Sequence, residues 1–262
     1  MSCKEPDPIQ QASEHLIRAA YKQQEITTLT DLYPNLSVEE AYQVQLHTVR
    51  RKVQDGYQII GKKIGLTSTT MQRLFGTNHP EYGHLLNGMQ IPNRGSILVD
   101  HLFRPKVETH IAFVLKRDLS GPHVTIDEVW DATEFIIPSI EITDSRMNDR
   151  SNKLQDLIAD NASSGFFVLG NKRVWHEFDL SRVKVKVFKN GRWITDGLGS
   201  AVWSDPATCV AWLANRLHQY GGKLEEGEII LSGALSETVI ANKGDRFTAD
   251  FAHLGQVELT FT

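Results

Sequence analysis

The spacing of apolar residues changes near residue 57, and this change constrains the fold more than any other feature of the chain. Before that point, apolar residues recur every three or four positions, which predicts amphipathic helices over residues 8–24 and from Ser37 to about residue 55. Ser37 and Glu40 form a capping-box pattern that marks the start of the second helix. After residue 57, short apolar runs alternate with turn residues, as is typical of strands.

Nine runs in the second part of the chain have the composition of strands. They are residues 58–66, 96–99, 107–115, 135–143, 166–169, 183–189, 192–198, 228–232 and 257–261. Asn190 and Gly191 separate two of these runs and predict a tight hairpin turn. A further helix is expected over residues 205–220, with Asp205 as its cap and Pro206 at its first position.

These elements predict an α+β fold in which an N-terminal helical region, residues 1–56, joins a β-rich domain, residues 57–262, in one integrated unit. Hydrophobic residues make up 40% of the 262 residues and charged residues 23%, so the chain can bury a sizeable core. The net charge is only -4 and basic residues are scattered, which argues against a nucleic-acid partner. The sequence contains no apolar stretch of membrane-spanning length or signal-peptide type, so we expect a cytoplasmic protein with no membrane partner.

A carboxylate and an imidazole interrupt the apolar run 107–115. Strand side chains alternate between two faces, so Glu108 and His110 are expected to lie side by side. In the run 135–143, the same alternation makes Glu141 a candidate to meet them from an adjacent strand. Two carboxylates and one imidazole suit Mg²⁺ or Mn²⁺, with the imidazole shifting the preference toward Mn²⁺, Fe²⁺ or Zn²⁺. On spacing alone, a solvated strand face or a hydrogen-bonded core histidine is the simpler interpretation.

Six segments, in order along the chain, resemble motifs of the 2-keto-4-pentenoate hydratase family, which belongs to the fumarylacetoacetase superfamily together with the 4-oxalocrotonate decarboxylases. They are residues 61–68, 80–83, 105–112, 137–146, 159–163 and 231–235. The resemblance extends from about Leu29 to Phe261. It implies a mixed β-roll or sandwich of the fumarylacetoacetase C-terminal type with an N-terminal helical region, a divalent cation, most simply Mg²⁺ or Mn²⁺, and a homo-oligomer.

The resemblance also implies roles for individual residues. Metal ligands fall on Glu108, His110 and Glu141, catalytic roles on Lys63, Glu81 and Asp160, and substrate contacts on Lys63, Ser163, Ser232 and Gly233. Two positions depart from the family pattern, because His110 replaces a second glutamate and Glu81 stands where hydratases usually carry aspartate. Partial burial near a cation is expected to lower the pKa of Lys63 enough for proton transfer. Without the resemblance, the lysines would be interpreted as exposed, and the segments 160–163 and 232–233 as ordinary turns.

The activity implied by the resemblance is a metal-dependent hydro-lyase that adds water to a 2-hydroxy-2,4-dienoate in the catabolism of aromatic compounds. A small 2-oxo or 2-hydroxy acid would be the substrate, and a homologous decarboxylase or a downstream aldolase would be a protein partner. Two alternatives stay open. The chain could be a 4-oxalocrotonate-type decarboxylase, although residues 61–65 and 163–165 fit the hydratases better, or a non-catalytic homologue whose metal site has decayed.

Overall fold

The computed structural model describes residues 7–148, 153–175 and 179–262. Residues 1–6 of the predicted helical region lie outside the described residues. The helices are α1 (Pro8–Lys22), α2 (Leu29–Leu32), α3 (Val38–Gln54), α4 (Thr69–Leu74), α5 (Ile126–Ala132), α6 (Leu154–Ala159) and α7 (Pro206–His218). The strands are β1 (Ile59–Gly65), β2 (Glu81–Leu86), β3 (Gln90–Ile91), β4 (Ser96–Ile97), β5 (Lys106–Leu115), β6 (Thr133–Thr143), β7 (Ser164–Leu169), β8 (Lys184–Lys189), β9 (Arg192–Leu198), β10 (Ile229–Leu231), β11 (Val239–Ile240), β12 (Arg246–Phe251) and β13 (Gly255–Phe261).

The strands form two sheets. The larger has eight strands in the order β2-β1-β10-β5-β6-β7-β3, with β11 also pairing β5. The smaller has five strands in the order β4-β13-β12-β8-β9. Both are mixed, since β1 runs parallel to β10 and β13 parallel to β4 while most other pairs are antiparallel. The predicted α+β fold with a mixed β architecture and a helical front end is therefore confirmed.

The long helices begin where the sequence predicts. At α3, the Ser37 amide donates to Glu40 Oε2 at 2.8 Å and the Glu40 amide donates to Ser37 Oγ at 3.2 Å, which completes the capping box. At α7, Asp205 Oδ1 accepts the amide of Ala207 at 2.7 Å, and Pro206 occupies the first turn. The hairpin between β8 and β9 turns at Asn190 and Gly191, both with positive φ.

Strand β5 separates two apolar clusters. Val107, Ile111 and Phe113 belong to the main core, whereas Ala112 packs with Leu231 in a second cluster on the opposite face. Glu108 and His110 lie on the face of Ala112, as the alternation predicts. This face also carries residues of β1 and β2, and the helices α3 and α7 contribute to the core on the other face.

Strand β2 was not among the predicted runs, although it pairs with β1 along most of its length. It follows Pro80 and contains Gly83 and His84, and all six of its residues are buried, so it lacks the alternation typical of a strand. Strand β12 and the short helices α4, α5 and α6 were likewise missed. Among the helices in the described residues, none combines the length and the apolar character needed to cross a membrane.

Candidate active site and metal centre

The pairing of β5 with β6 brings together the three predicted ligand residues. Glu108 stands directly opposite Glu141, and His110 stands opposite Ser139. Glu108, His110 and Glu141 each offer one ligand atom, and these atoms all lie within 4.8 Å of one another. Two carboxylates directly opposed across a strand pair repel each other, so this arrangement requires positive charge nearby.

His110 lies between the carboxylates and a backbone amide. Its Nε2 is 3.0 Å from Glu141 Oε2 and 3.4 Å from Glu108 Oε2. Its Nδ1 accepts the N–H of Gly233 at 3.1 Å. Glu108 receives a further hydrogen bond from the hydroxyl of Thr238, which donates to Oε1 at 2.8 Å. Both ring nitrogens of the imidazole therefore have polar neighbours.

Lys63 reaches the same cluster from β1. Its Nζ is 3.3 Å from Glu141 Oε1 and 4.0 Å from Glu81 Oε1. Glu81 lies at the start of β2, opposite Gly65 on β1. A Cβ at Gly65 would fall 1.9 Å from Glu81 Oε1, so any larger residue at this position would displace the carboxylate. Lys63 is 3% exposed and Glu81 is 1% exposed, which makes both charges buried.

Burial and mutual charge shift the ionisation of this cluster. Burial raises the pKa of Glu81 to about 7, and the attraction of Lys63 only partly offsets it. Burial also opposes ionisation of Glu108, but hydrogen bonds with His110 and the charge of Lys63 lower its pKa to about 2. Burial tends to lower the pKa of Lys63, yet the carboxylates led by Glu141 outweigh it and raise the pKa. Without a cation, the three carboxylates therefore raise the pKa of Lys63, and the lowering expected beside a cation stays a prediction.

The carboxylates also raise the pKa of His110 against the effect of burial. The N–H of Gly233, however, points at Nδ1 and opposes a second proton on that nitrogen.

The cluster has unused ligand atoms. Both oxygens of Glu141 and Oε2 of Glu81 are buried and lack a hydrogen-bond partner in the described part of the chain. Lys63 and His110 lie within ion-pair distance of Glu141, but neither is aligned for a hydrogen bond. Buried carboxylate oxygens without partners are costly unless a cation or ligand completes them. The oxygen-rich donor set therefore fits a divalent cation.

The cluster opens into a cleft of about 1470 Å³. Lys63, Glu81 and Glu108 form part of its lining. Ser163 lines it from the segment between α6 and β7, and Lys184 and Lys186 line it from the smaller sheet. Three lysines in this lining, Lys63, Lys184 and Lys186, give the cleft positive charge that suits an anionic ligand.

Asp160 contacts a different set of residues from the cluster. Its Oδ2 accepts the hydroxyl of Ser145 and the amide of Arg146, each at 2.9 Å, and its Oδ1 pairs with the Arg146 guanidinium. Both oxygens are thus occupied by residues 145 and 146, which follow β6. The structure brings Lys63 and Glu81 to the three ligand residues and places Asp160 in a structural ion pair.

The segment after Asp160 has an unusual backbone. Asn161, Ala162 and Ser163 all have positive φ, at 52°, 54° and 54°. Residues with a Cβ rarely adopt this conformation, and three in succession store strain of about 1–2 kcal/mol each. The Asn161 side chain holds the segment against β2, accepting the amide of His84 at 2.7 Å and donating to its carbonyl at 2.9 Å. Ser163 reaches the cleft from this turn.

Ser232 and Gly233 follow β10 behind the ligand residues. Ser232 is fully buried, its amide donates to the carbonyl of Ile111 at 3.1 Å, and its hydroxyl has no partner in the described chain. Gly233 has φ +119°, and a Cβ there would lie 2.5 Å from Thr67 Cγ2. Its observed role is the hydrogen bond to His110.

Sequence reasoning missed three contributors. Thr238 donates a hydrogen bond to Glu108, Gly65 leaves space for Glu81, and Arg146 forms an ion pair with Asp160. The segment 231–235 signalled a close approach near the site, but the sequence carries no signal that identifies Thr238. Arg146 lies inside a motif that the resemblance already includes, so its pairing with a neighbouring carboxylate could have been considered.

The fold and the cluster define a class of enzyme in which a buried lysine stands beside carboxylates and an imidazole that could hold a metal ion. Residues 87–262 match the model of the fumarylacetoacetate (FAA) hydrolase C-terminal family. The chain belongs to this family, which confirms the resemblance.

Relatives and a solved structure support the assignment over nearly the whole length. The chain is 40% identical over 257 residues to a 2-hydroxyhexa-2,4-dienoate hydratase of Comamonas testosteroni, with 97% of each chain covered. It is 36% identical to a 2-keto-4-pentenoate hydratase of Paraburkholderia xenovorans, covering 98% of this chain and 96% of the relative. The structure of 4-oxalocrotonate decarboxylase from Pseudomonas putida G7, complexed with magnesium and adipate, superposes with a TM-score of 0.95 at 32% identity, covering 99% of both chains.

Proposed function

We propose that the protein is a hydro-lyase that adds water to a 2-hydroxy-2,4-dienoate and forms a 4-hydroxy-2-oxoalkanoate. The observation that carries this proposal is the approach of Lys63 to Glu141 within 3.3 Å, beside Glu108 and His110. This arrangement places a proton donor next to a carboxylate pair suited to a cation. The relatives named as hydratases, at 36–40% identity over the whole length, support the substrate class.

Glu108 and Glu141 would hold the divalent cation, Mg²⁺ or Mn²⁺, with His110 at the third corner of the site. The bound cation supplies positive charge that stabilises the enolate oxygen of the substrate. The resident side chains carry the protons. In ketonisation the 2-hydroxyl loses a proton and C5 gains one. Lys63, whose Nζ lies 3.3 Å from Glu141 Oε1, is the proposed donor to C5.

Addition of water requires a base and then an acid. The oxygen of water bonds to C4, one of its protons is removed, and C3 gains a proton, so the net change is the addition of one molecule of water across C3 and C4. Glu81 has a pKa of about 7 and lies 4.0 Å from Lys63, so it can accept the proton of water and exchange it with the amine. Asp160 was the other candidate for this step, but its ion pair with Arg146 leaves it to support the turn that presents Ser163.

Ser163 lines the cleft and is proposed to contact the carboxylate of the substrate. Ser232 and Gly233 lie behind the ligand residues, and we propose that they affect the site indirectly. Gly233 does so through its hydrogen bond to His110.

The direct test is turnover of 2-hydroxypenta-2,4-dienoate, followed by loss of the dienol absorbance and identification of the product. We expect a 4-hydroxy-2-oxo acid, loss of activity with a chelator, and recovery with Mg²⁺ or Mn²⁺. Absence of turnover with any divalent cation supplied would favour the non-catalytic homologue.

The decarboxylase alternative is favoured by the structural match to 4-oxalocrotonate decarboxylase. Enolate stabilisation by the same residues serves both reactions, so the geometry of the cluster fits either. Incubation with 2-oxo-hex-3-enedioate separates them, since a decarboxylase releases carbon dioxide and a hydratase does not.

We further propose a cytoplasmic homo-oligomer in aromatic-compound catabolism, working with a homologous decarboxylase or a downstream aldolase. Strand β9 lies at the edge of the smaller sheet and exposes Trp193 and Ile194, apolar side chains that a second copy of the chain could cover. The helical region 1–56 and the domain 57–262 are proposed to fold as one unit, because residues of α1 and α3 share a core cluster with the strands. Light scattering and a single cooperative unfolding transition would test these statements.

A further inference from the structure

The orientation of the His110 ring is fixed from behind by Gly233. The Gly233 N–H donates to Nδ1 at 3.1 Å. The backbone around this amide is closely packed, since φ at Gly233 is +119° and a Cβ there would lie 2.5 Å from Thr67 Cγ2. Its own position is tied to β5 through the neighbouring Ser232 amide, which donates to Ile111 O. The donor aimed at Nδ1 therefore belongs to a closely packed segment that is hydrogen-bonded to β5.

A nitrogen that accepts an N–H must keep its lone pair, so the single proton of the neutral ring stands on Nε2. That nitrogen faces Glu141 at 3.0 Å and Glu108 at 3.4 Å. A protonated Nε2 has no lone pair for a cation. Histidines that bind a metal almost always donate the other ring N–H to a carboxylate, a carbonyl or water. At His110 the other nitrogen faces a donor, which is the reverse arrangement.

We infer that His110 donates its Nε2 proton to Glu108, with Glu141 beside the same nitrogen, and is not itself a metal ligand. The cation is then held by Glu108 and Glu141 alone among the three residues, with two formal negative charges. A glutamate at position 110 would supply a third charge and further ligand oxygens. A 2-oxo acid supplies one negative charge and two chelating oxygens, so cation and acid bind this site cooperatively and each binds weakly alone.

The inference rests on the proposed function only for the presence of a divalent cation and a 2-oxo acid at this site. It is tested by binding, without turnover. Mn²⁺ affinity is measured from the EPR signal of free Mn²⁺, with and without oxalate, an unreactive mimic of a 2-oxo acid enolate. For the natural chain, saturating oxalate is expected to tighten Mn²⁺ by about tenfold or more, and Mn²⁺ to tighten oxalate by the same factor.

Two variants separate a hydrogen-bond donor at position 110 from a metal ligand there. His110→Gln retains an N–H donor and is expected to hold Mn²⁺ with nearly the natural affinity. His110→Glu is expected to bind Mn²⁺ alone about tenfold more tightly and to show a smaller coupling with oxalate. Loss of Mn²⁺ binding in His110→Gln by tenfold or more, or Mn²⁺ affinity of the natural chain that oxalate leaves unchanged, overturns the inference.

The ring itself is observed by ¹⁵N NMR of histidine-labelled protein loaded with Mg²⁺ and oxalate, using His110→Gln to assign the signals. We expect a protonated Nε2 and an unprotonated Nδ1. A protonated Nδ1 with a coordinated Nε2 contradicts the inference. If the protein fails to hydrate dienoates yet shows this tautomer and this coupling, the proposed function fails and the inference stands.

Discussion

The two faces of β1 carry two buried polar clusters with adjacent lysines, and they differ in how completely their atoms are paired. On the helix-covered face, Lys62 pairs with Glu228, whose other oxygen accepts the amide of Glu225 at 3.0 Å. His84, opposite Lys62, contacts Gln45 Oε1 through Nδ1 at 3.0 Å, while the Gln45 amide group donates to two backbone carbonyls.

On the other face, Lys63 lies among Glu81, Glu108 and Glu141, and both oxygens of Glu141 lack hydrogen-bond partners in the described residues. Negative charge exceeds positive charge there, whereas Lys62 and Glu228 balance each other. A fully paired buried cluster needs nothing more and supports the fold, but an incompletely paired one needs a ligand. The difference teaches that pairing, and not burial alone, marks the face that carries function.

The largest expected effect comes from exchanging the two lysines for methionine, which keeps the length and removes the charge. Lys63→Met is expected to lower kcat by about 10³-fold, because it removes the proposed proton donor. Lys62→Met should leave kcat nearly unchanged and lower the free energy of unfolding by about 3 kcal/mol, because Glu228 loses its partner. Steady-state kinetics and denaturant unfolding measure both. Equal losses of kcat in the two variants, with unchanged stability, would break the comparison.

Neutralising one carboxylate on each face gives the next effect. Glu141→Gln is expected to weaken Mn²⁺ binding by more than about a hundredfold, since it removes a proposed ligand. Glu228→Gln, the matched control, should leave Mn²⁺ affinity unchanged and reduce stability. Calorimetric titration with Mn²⁺ provides the measurement. A Glu141→Gln protein that still binds Mn²⁺ as the natural chain does would remove the metal centre from this face.

Asn161 connects the two faces, since its side chain binds the backbone of His84 while Ser163 lines the cleft. Asn161→Ala releases the strained turn, and we expect KM to rise by about tenfold with a smaller change in kcat. Asn161→Asp keeps the acceptor for the His84 amide and should recover part of the loss. A fall in kcat alone, with KM unchanged in both variants, would show that the turn does not position the substrate.

The smallest expected effect is on how the free energy of unfolding changes with pH, for which Glu81 and His84 have opposite contributions. The measurement is made with a chelator present, so that the protein is metal-free. The pKa of Glu81 rises from 4.5 to about 7 on folding, so the folded state holds more protons and stability falls as pH rises through this window. Burial, assisted by the charge of Lys62, lowers the pKa of His84 from 6.5 to about 3, so stability rises with pH through that window.

Between pH 4.5 and 6.5 the two slopes oppose each other, and each amounts to at most about 1.4 kcal/mol per pH unit. Glu81→Gln should therefore make stability rise more steeply with pH than in the natural chain, and His84→Gln should flatten or reverse the rise. Denaturant unfolding at several pH values reveals the slopes. Parallel curves for the two variants would contradict the assignment of these groups.

Alternation along a strand was sufficient to place Glu108 and His110 on one face, and the next apolar run supplied Glu141. The grouping of these three residues could therefore be predicted from the sequence. The place of Lys63 beside them depended on the resemblance, because a parallel partner strand separates β1 from β5. The bounds of α1, α3 and α7 followed from periodicity and caps.

Other features have no local signal. Positive φ at Asn161, Ala162 and Ser163 arises from tertiary contacts, since none of these residues is glycine. The pairing of Asp160 with Arg146 and the raised pKa of Lys63 depend on distances between segments that periodicity does not fix. Strand β2 lacks the alternation of apolar and polar residues that predicts a strand, because both of its faces are buried.

The position of β5 has a consequence for how such a chain can diversify. It is an inner strand, paired with β6 on one side and with β10 and β11 on the other, so mutations cannot shift Glu108 or His110 independently of their neighbours. The far wall of the cleft comes from β8 and β9, which belong to the other sheet. Substitutions on β8 and β9 can therefore change which ligand fits the cleft without moving Glu108 or His110, because the two groups of residues belong to different sheets.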